Sequence, residues 1–375
     1  MVRRISRIVF YWLSFVIKPK KVLVFTSFPD FADNPYALYL YLIKNQRYDE
    51  YKKVWIISNP RQEIIDKIRE IDNRTIISSY TLKNWYYVLM SRYIFSSHNA
   101  YSYLHFHQND KLMNLWHGLG IKKIGYDNGE TPSTFYGNSV YTLATSPFFI
   151  ECMSSAFRIP KEHVLLTGLP RNDLLFENSA RFAKILNGNQ YNSVGIWMPT
   201  FRQTSDGNLN DAPMNKGAIN YWNPLILEEI NDFLIKTNNF LILKLHPADS
   251  LQKTELGKYS NLCILRNEDL PARELYPLIG KTDYLISDYS SVFVDYMTLK
   301  KPMGFLQNDT ETYKEGRALY FEPTADNLPG HLLYNLEDMK DFIFNHKQYG
   351  FKKKEFLNIF ADASNCKRLV EKLNL

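Results

Sequence analysis

A chain of 375 residues, 45% apolar and 22% charged, is globular and long enough for two ordinary domains, which excludes a disordered segment. Its formal charge of +6 is concentrated: residues 1–29 hold Arg3, Arg4, Arg7, Lys18, Lys20 and Lys21 and no acid, so 45 − 6 = 39 basic residues face 39 acidic ones elsewhere. That balance argues against a body-wide polyanion surface, and the scattered Cys152, Cys263 and Cys366 against a disulfide framework or zinc spacing, so a reducing compartment is the default.

Wound at about 100° per residue, residues 1–18 collect Arg3, Arg4, Ser6, Arg7, Ser14 and Lys18 on one arc. Ile5, Ile8, Val9, Trp12, Leu13, Phe15 and Val16 fill the other, with Phe10, Tyr11 and Ile17 intruding on the polar side. The apolar run is too short to span a bilayer. Lysines and Pro19 stand where a signal peptide would carry small residues. Residues 1–20 therefore read as a basic amphipathic helix lying on an anionic membrane. The plainer alternative is a helix packed on its own domain.

Residues 21–27, 54–58, 75–78, 93–96, 111–116 and 164–167 read as strands, with helices over 34–44, 64–71 and 85–91. Such alternation predicts a parallel α/β sheet. The pattern restarts near residue 193, with strands over 194–198, 240–245, 262–265, 284–286 and 303–306 and helices between them. Polar residues 187–192 read as a linker, and 204–220 as a long functional loop. The expected organisation is an N-terminal domain over 21–185, a C-terminal domain over 193–360 and a closing helix over 361–375. The aromatic content of 15% suits either aromatic cores or ligand stacking, of which cores are the commoner use.

Several strands end in polar residues: His117 after Trp116, Thr200 to Arg202 after Pro199, His246 after Leu245, and Asp288 to Ser291 before a helical stretch at 292–299. Lys244 precedes His246 by two, so both are expected on one side of the strand. In an open parallel sheet, ligands bind where strand C-termini meet helix N-termini, and unpaired N–H groups there suit phosphate. Ser290 and Ser291 would equally serve as plain N-caps. The sequence has no GxxxxGK[ST] loop, GxSxG elbow or HExxH helix, and GLGIKKIG (118–125) lacks the GxGxxG order. No compact carboxylate cluster suggests a metal.

Five ordered motifs carry a resemblance: LWHGLGIKKIGYD (115–127), GLPRNDLL (168–175), WMPTFRQ (197–203), LILKLHP (241–247) and LISDYSSVFVDYMTLKKPMGF (285–305). With EGRALYFEPTADNLPG (315–330), this set resembles the CDP-glycerol glycerophosphotransferases, which build teichoic acids and related polyol-phosphate polymers. The resemblance implies a GT-B-like fold of two Rossmann-like domains facing a central cleft, with acceptor on the N-terminal half and nucleotide donor on the C-terminal half. It implies transfer of glycerol phosphate from CDP-glycerol to a hydroxyl of a lipid-linked or polymer acceptor at the cytoplasmic face of the membrane, with release of CMP and no cofactor beyond the donor. The product would be a teichoic acid or capsular polymer.

Carried over by position, His117 is implied as general base and His246 as the group that stabilises or protonates the phosphate region. Arg202 would clamp the pyrophosphate, and Ser290 and Ser291 would hold the donor phosphates with Asp288 ordering their turn. Thr200 and Lys244 would line the donor side, and Arg171 and Asp173 would shape the cleft. Leu119-Gly120 replace the usual Thr-Pro, which puts the acceptor in question; Arg317-Ala318 replace Arg-Gly, and Lys244 stands for the more frequent Arg. Two other readings stand beside this one. They are a GT-B sugar transferase or nucleotide-sugar epimerase using a UDP-sugar, and a non-catalytic membrane-docked binding protein.

Overall fold

The computed structural model describes residues 2–79, 82–98, 100–102, 104–105, 111–129, 140–200, 223–246 and 257–375. Contacts divide them into two units. The first comprises Met1–His117, Ile124–Leu174 and Ala363–Leu375; the second comprises Gly118–Lys123 and Leu175–Asp362.

In the first unit the apolar runs become seven parallel strands: β1 (Val22–Thr26), β2 (Lys52–Ile56), β3 (Ile76–Ser78), β4 (Tyr93–Ser96), β5 (Lys111–Asn114), β6 (Val140–Ala144) and β7 (Val164–Leu166). They lie in the order β3-β2-β1-β4-β5-β6-β7. Helices α1 (Val2–Val16), α2 (Asp33–Lys44), α3 (Gln62–Ile71), α4 (Leu82–Met90) and α5 (Pro147–Phe157) precede or connect them. β6 and α5 went unpredicted, although α5 opens with a readable signal: Ser146 caps it and Pro147 stands at its start.

The second unit begins with α6 (Ala180–Leu186). It then holds β8 (Ser193–Trp197), α7 (Pro224–Lys236), β9 (Asn239–Lys244), β10 (Leu262–Leu265), α8 (Leu275–Gly280), β11 (Tyr284–Ser287), α9 (Val292–Tyr296), β12 (Met303–Leu306), α10 (Thr310–Gly316), β13 (His331–Leu333) and α11 (Leu336–Tyr349). Its strands run in the order β10-β9-β8-β11-β12-β13, all parallel. The last helix, α12 (Asn365–Leu373), returns to the first unit, where Tyr93 Oη donates to the Leu373 carbonyl at 2.8 Å.

Both sheets therefore have a Rossmann strand order, winding outward from a central strand in both directions. In such a sheet the crevice lies where the order reverses, outside the strand C-termini. The reversals fall between β1 and β4 in the first unit and between β8 and β11 in the second.

The aromatic residues are spent largely on cores. Phe25 on β1 lies between Trp55 and Phe95 with ring centroids 5.5 and 5.3 Å away, and Phe31 and Tyr39 meet Trp55 edge-on. Each such pair adds about 1 kcal/mol beyond burial. In the second unit Trp197, Leu241, Leu243, Tyr284, Ile286 and Phe342 form one buried cluster.

Candidate functional site

In the first unit, Ser27 to Asp33 follow β1, Ser97 and His98 follow β4, and His117 follows β5, so the polar residues border the reversal. The backbone before His117 is held in an unusual shape. Trp116 has φ +55° and Asp33 φ +62°, values uncommon outside glycine. Asn34, fully buried, imposes that shape: its Nδ2 donates to the carbonyls of Leu115 (3.1 Å) and Trp116 (2.9 Å). Its Oδ1 accepts from the Arg171 amide at 3.0 Å. Arg171 in turn donates to Asp33 Oδ1 at 2.9 Å and to the His117 carbonyl at 2.8 Å. Strained backbone held by several independent contacts is a feature of functional sites.

The imidazole of His117 has its Nδ1 3.1 Å from the Ser97 carbonyl oxygen. A carbonyl only accepts, so Nδ1 carries the proton and Nε2 keeps its lone pair. Burial lowers the His117 pKa against the opposing pull of the Ser97 carbonyl and Asp33. By surface His117 is exposed, so its desolvation comes from the atoms packed around it and is only partial. His98, absent from the sequence expectations, stands nearby, its pKa lowered by burial and by His117 and raised in part by Asp30. Neutral imidazole is thus the resting state.

Arg171 and Asp173 are used within the first unit. Arg171 supports the His117 turn as described. Asp173 accepts from the backbone amides of Asn365 and Cys366, each at 2.9 Å, and so anchors the start of α12.

In the second unit, Thr200 follows β8 and Asp288 follows β11, on either side of the reversal. Asp288, 5% exposed, ties the two strand ends together. Its carboxylate accepts from the Thr200 amide at 3.0 Å, from the Thr200 hydroxyl at 2.5 Å and from the Tyr289 amide at 2.6 Å. Ser290 and Ser291 stand next, half-buried, and Ser291 makes no side-chain cap bond to the helix behind it. That helix, α9, has only five residues before a tighter turn at Met297–Leu299. The expected dipole contribution is therefore small, and the hydroxyls and turn amides are the groups left to meet an anion.

Lys244 closes its strand. The strand ends at Lys244, which is 6% exposed, and His246, two residues beyond, is exposed. Lys244 Nζ donates to the Leu245 carbonyl at 2.7 Å and to Asn267 at 3.1 Å, which braces the turn that presents His246. Burial pushes its pKa down to about 8, with Asp269 opposing. Arg202 and the loop at 204–220 lie outside the described residues.

Residues Leu119-Gly120 lie in the second unit. Leu119 and Ile121 are buried there, Lys122 bridges to Leu319, and the Tyr320 amide donates to the Ile121 carbonyl at 2.7 Å. A Cβ on Gly120 would lie 2.9 Å from the Ser291 Cβ, so glycine permits the close approach. The departure from the family pattern thus lies against Ser291 within the second unit. Among the described residues, no three His, Cys, Asp or Glu side chains are grouped to hold a metal ion.

The family described as CDP-Glycerol:Poly(glycerophosphate) glycerophosphotransferase matches residues 8–372. The chain belongs to this family. It is 26% identical to a teichoic acid poly(glycerol phosphate) polymerase of Bacillus spizizenii, over 99% of this chain and 96% of that one. It is 28% identical to the ribitol-phosphate polymerase TarL of Staphylococcus aureus over 80% of its length, and covers 54% of that relative. It likewise spans about half, 49%, of a Staphylococcus epidermidis poly(glycerol phosphate) polymerase. Among solved structures, the wall teichoic acid polymerase TagF aligns over 100% of this chain and 96% of its own with TM-score 0.73 at 21% identity. A UDP-GlcNAc 2-epimerase from Neisseria meningitidis aligns with TM-score 0.54 at 14% identity over 95% of this chain and 99% of its own. These likenesses identify the GT-B-like fold class, and the family match does not favour the UDP-sugar reading.

Proposed function

We propose that this chain transfers glycerol phosphate, or another polyol phosphate, from a CDP-activated donor to a hydroxyl of a lipid-linked or polymer-borne acceptor, releasing CMP. As a family member it is an enzyme of polyol-phosphate transfer in teichoic acid synthesis; the acceptor, the membrane site and use in a capsular polymer are the proposed part. One observation carries the chemistry: His117 holds its Nδ1 proton on Ser97 and keeps a basic Nε2. In the proposed step Nε2 takes the proton of the acceptor hydroxyl as its oxygen attacks the phosphorus that bears the polyol. The bond from that phosphorus to the bridging oxygen breaks, and the electron pair leaves with CMP. Ser290, Ser291 and the turn ordered by Asp288 and Thr200 would hold the diphosphate. Arg202 would add a guanidinium clamp, and exposed His246 would protonate or stabilise the departing phosphate. No cofactor beyond the CDP donor enters the step.

The membrane reading rests on α1. Phe10 stacks on Trp85 at 3.8 Å, Phe15 on His105 at 4.0 Å, and the Ser14 hydroxyl accepts from the His105 amide. Ser14 is thus turned into the protein, not onto the polar arc that the helical wheel gave it. The outward ridge is apolar: Ile8, Trp12 at 65% exposure and Val16 at 78%. Exposed Lys18, Lys20 and Lys21 follow it, a pattern that suits an anionic lipid surface. Among the described residues no helix is long and apolar enough to cross a membrane. We place the enzyme peripherally on the cytoplasmic face.

The test is a donor screen. Purified protein with a glycerol-phosphate-primed lipid should release CMP from CDP-glycerol, with CDP-ribitol and UDP-sugars compared in parallel. Absence of CMP release from every CDP-polyol would overturn the proposal.

A further inference from the structure

Beside the Ser290–Ser291 turn the second unit holds a cavity of about 660 Å³ that no step above uses. It lies at the C-terminal ends of β12 and β13, and β12 pairs directly with β11, whose end carries the two serines. Neighbouring strands are about 4.8 Å apart. The two loops are also bonded: Tyr289 Oη donates to Asp309 Oδ1 at 3.0 Å.

The lining has a specific chemistry. Gln307, 7% exposed, has one end of its amide engaged by the Thr310 hydroxyl at 2.8 Å. Its Nε2 is buried without a partner, as is Asn308 Nδ2. Both residues line the cavity. A buried donor left unpaired costs about 1–3 kcal/mol, so such groups call for an acceptor. Asp309, Glu311, Glu322 and Asp326 line the same space with, among the described residues, one cation, Lys314, which Glu311 and Glu322 already pair at 3.3 and 2.5 Å.

Excess carboxylate repels a phosphate, and these carboxylates are not grouped to hold a metal ion. Amide donors combined with carboxylate acceptors instead match groups that both accept and donate, which is the property of neighbouring hydroxyls. The ring of Tyr334, also lining the space, offers an apolar wall to a C–H face.

We propose that this cavity binds an uncharged polyol chain, with Gln307 Nε2 donating to one hydroxyl and a carboxylate accepting from its neighbour. Resting on the transferase reading, the polyol comes from one of two sources: the group carried by the CDP donor or the terminal unit of the acceptor. Either would be held one strand away from the diphosphate seat.

Two variants test it. Gln307→Leu removes the donor, and Ala325→Trp fills the cavity from an exposed position where folding is spared. Each should raise the KM of one polyol-bearing substrate about tenfold or more, as sites built around hydroxyls respond to a lost partner. CMP, which lacks the transferred polyol and keeps only its ribose hydroxyls, should bind both variants as it binds wild type; weakened CMP binding would assign the cavity to the ribose and overturn the proposal. A rise for CDP-glycerol alone assigns the donor's polyol, and a rise for the acceptor alone assigns the acceptor's. Wild-type KM values for both substrates in the two variants would overturn the cavity proposal while leaving the transferase standing. Should Gln307→Leu not fold, Ala325→Trp decides. Should wild type release no CMP at all, ligand-observed NMR with ribitol reads the cavity directly. Saturation transfer from wild type that is lost in Ala325→Trp supports the proposal, and no transfer from wild type overturns it.

Discussion

The two sheets share one strand order, yet the sites at their reversals are built on opposite principles. In the first unit, side chains hold backbone: Asn34 and Arg171 grip the carbonyls of Leu115, Trp116 and His117, and the Ser97 carbonyl fixes one imidazole nitrogen. What remains open is a lone pair. In the second, one carboxylate, Asp288, gathers the donors of Thr200 and Tyr289. What remains there are the hydroxyls of Ser290 and Ser291. A lone pair suits a hydroxyl that must lose its proton, and donors suit an anion. The same fold therefore presents opposite hydrogen-bonding chemistry in its two units, through what the strand-end turns leave open.

The largest effect expected of this contrast is on turnover. His117→Ala should lower CMP release about 10³-fold, the usual span for a positioned general base, while CMP binding stays at the wild-type level. The pH profile follows with its sign fixed. Because burial lowers the His117 pKa below 6.5, the protonated, inactive form accumulates only as pH falls through that lowered value. The acid limb of kcat/KM should have its midpoint below 6.5, with activity level at pH 7. An acid limb centred above that value, or an alanine variant that turns over normally, would remove His117 from the base role.

The next effect is on stability in the second unit. Asp288→Ala strands three buried donors at once, and a loss of about 3 kcal/mol is expected, read as a lowered denaturant midpoint. Asp288→Asn keeps one acceptor oxygen and should lose less. If alanine costs no more than asparagine, the carboxylate is not what joins β8 to β11.

The strand ends were legible because apolar runs stop where their burial stops. His117, Thr200, His246 and Asp288 to Ser291 could all be picked out as polar residues closing such runs. The supports were not legible, because they are tertiary. Asn34 lies 81 and 82 residues from the carbonyls it holds, and Gly120 reads as a departure from a motif until Ser291 is found against it. Ser14 misled because a helical wheel ranks side chains by polarity, while a hydroxyl that accepts from the His105 amide is as well satisfied inside as out.

The smallest expected effect concerns α1, where the comparison between units has no counterpart. Its inner side is held by Phe10 on Trp85 and Phe15 on His105. Its outer ridge of Ile8, Trp12 and Val16 stays exposed. If the ridge only covered protein, its largest side chain would be the one to bury first, yet Trp12 is 65% exposed. Trp12→Glu should therefore leave the thermal midpoint and CMP binding nearly unchanged, since the ring contacts it removes, to Tyr11 and Phe15, lie within the helix itself. It should weaken co-sedimentation with phosphatidylglycerol vesicles about tenfold, the loss of one interfacial tryptophan plus the repulsion of a new acid. Undiminished vesicle binding would assign the ridge to something other than lipid. Weakened binding that persists in uncharged vesicles would show the apolar ridge acting without the lysines that follow it.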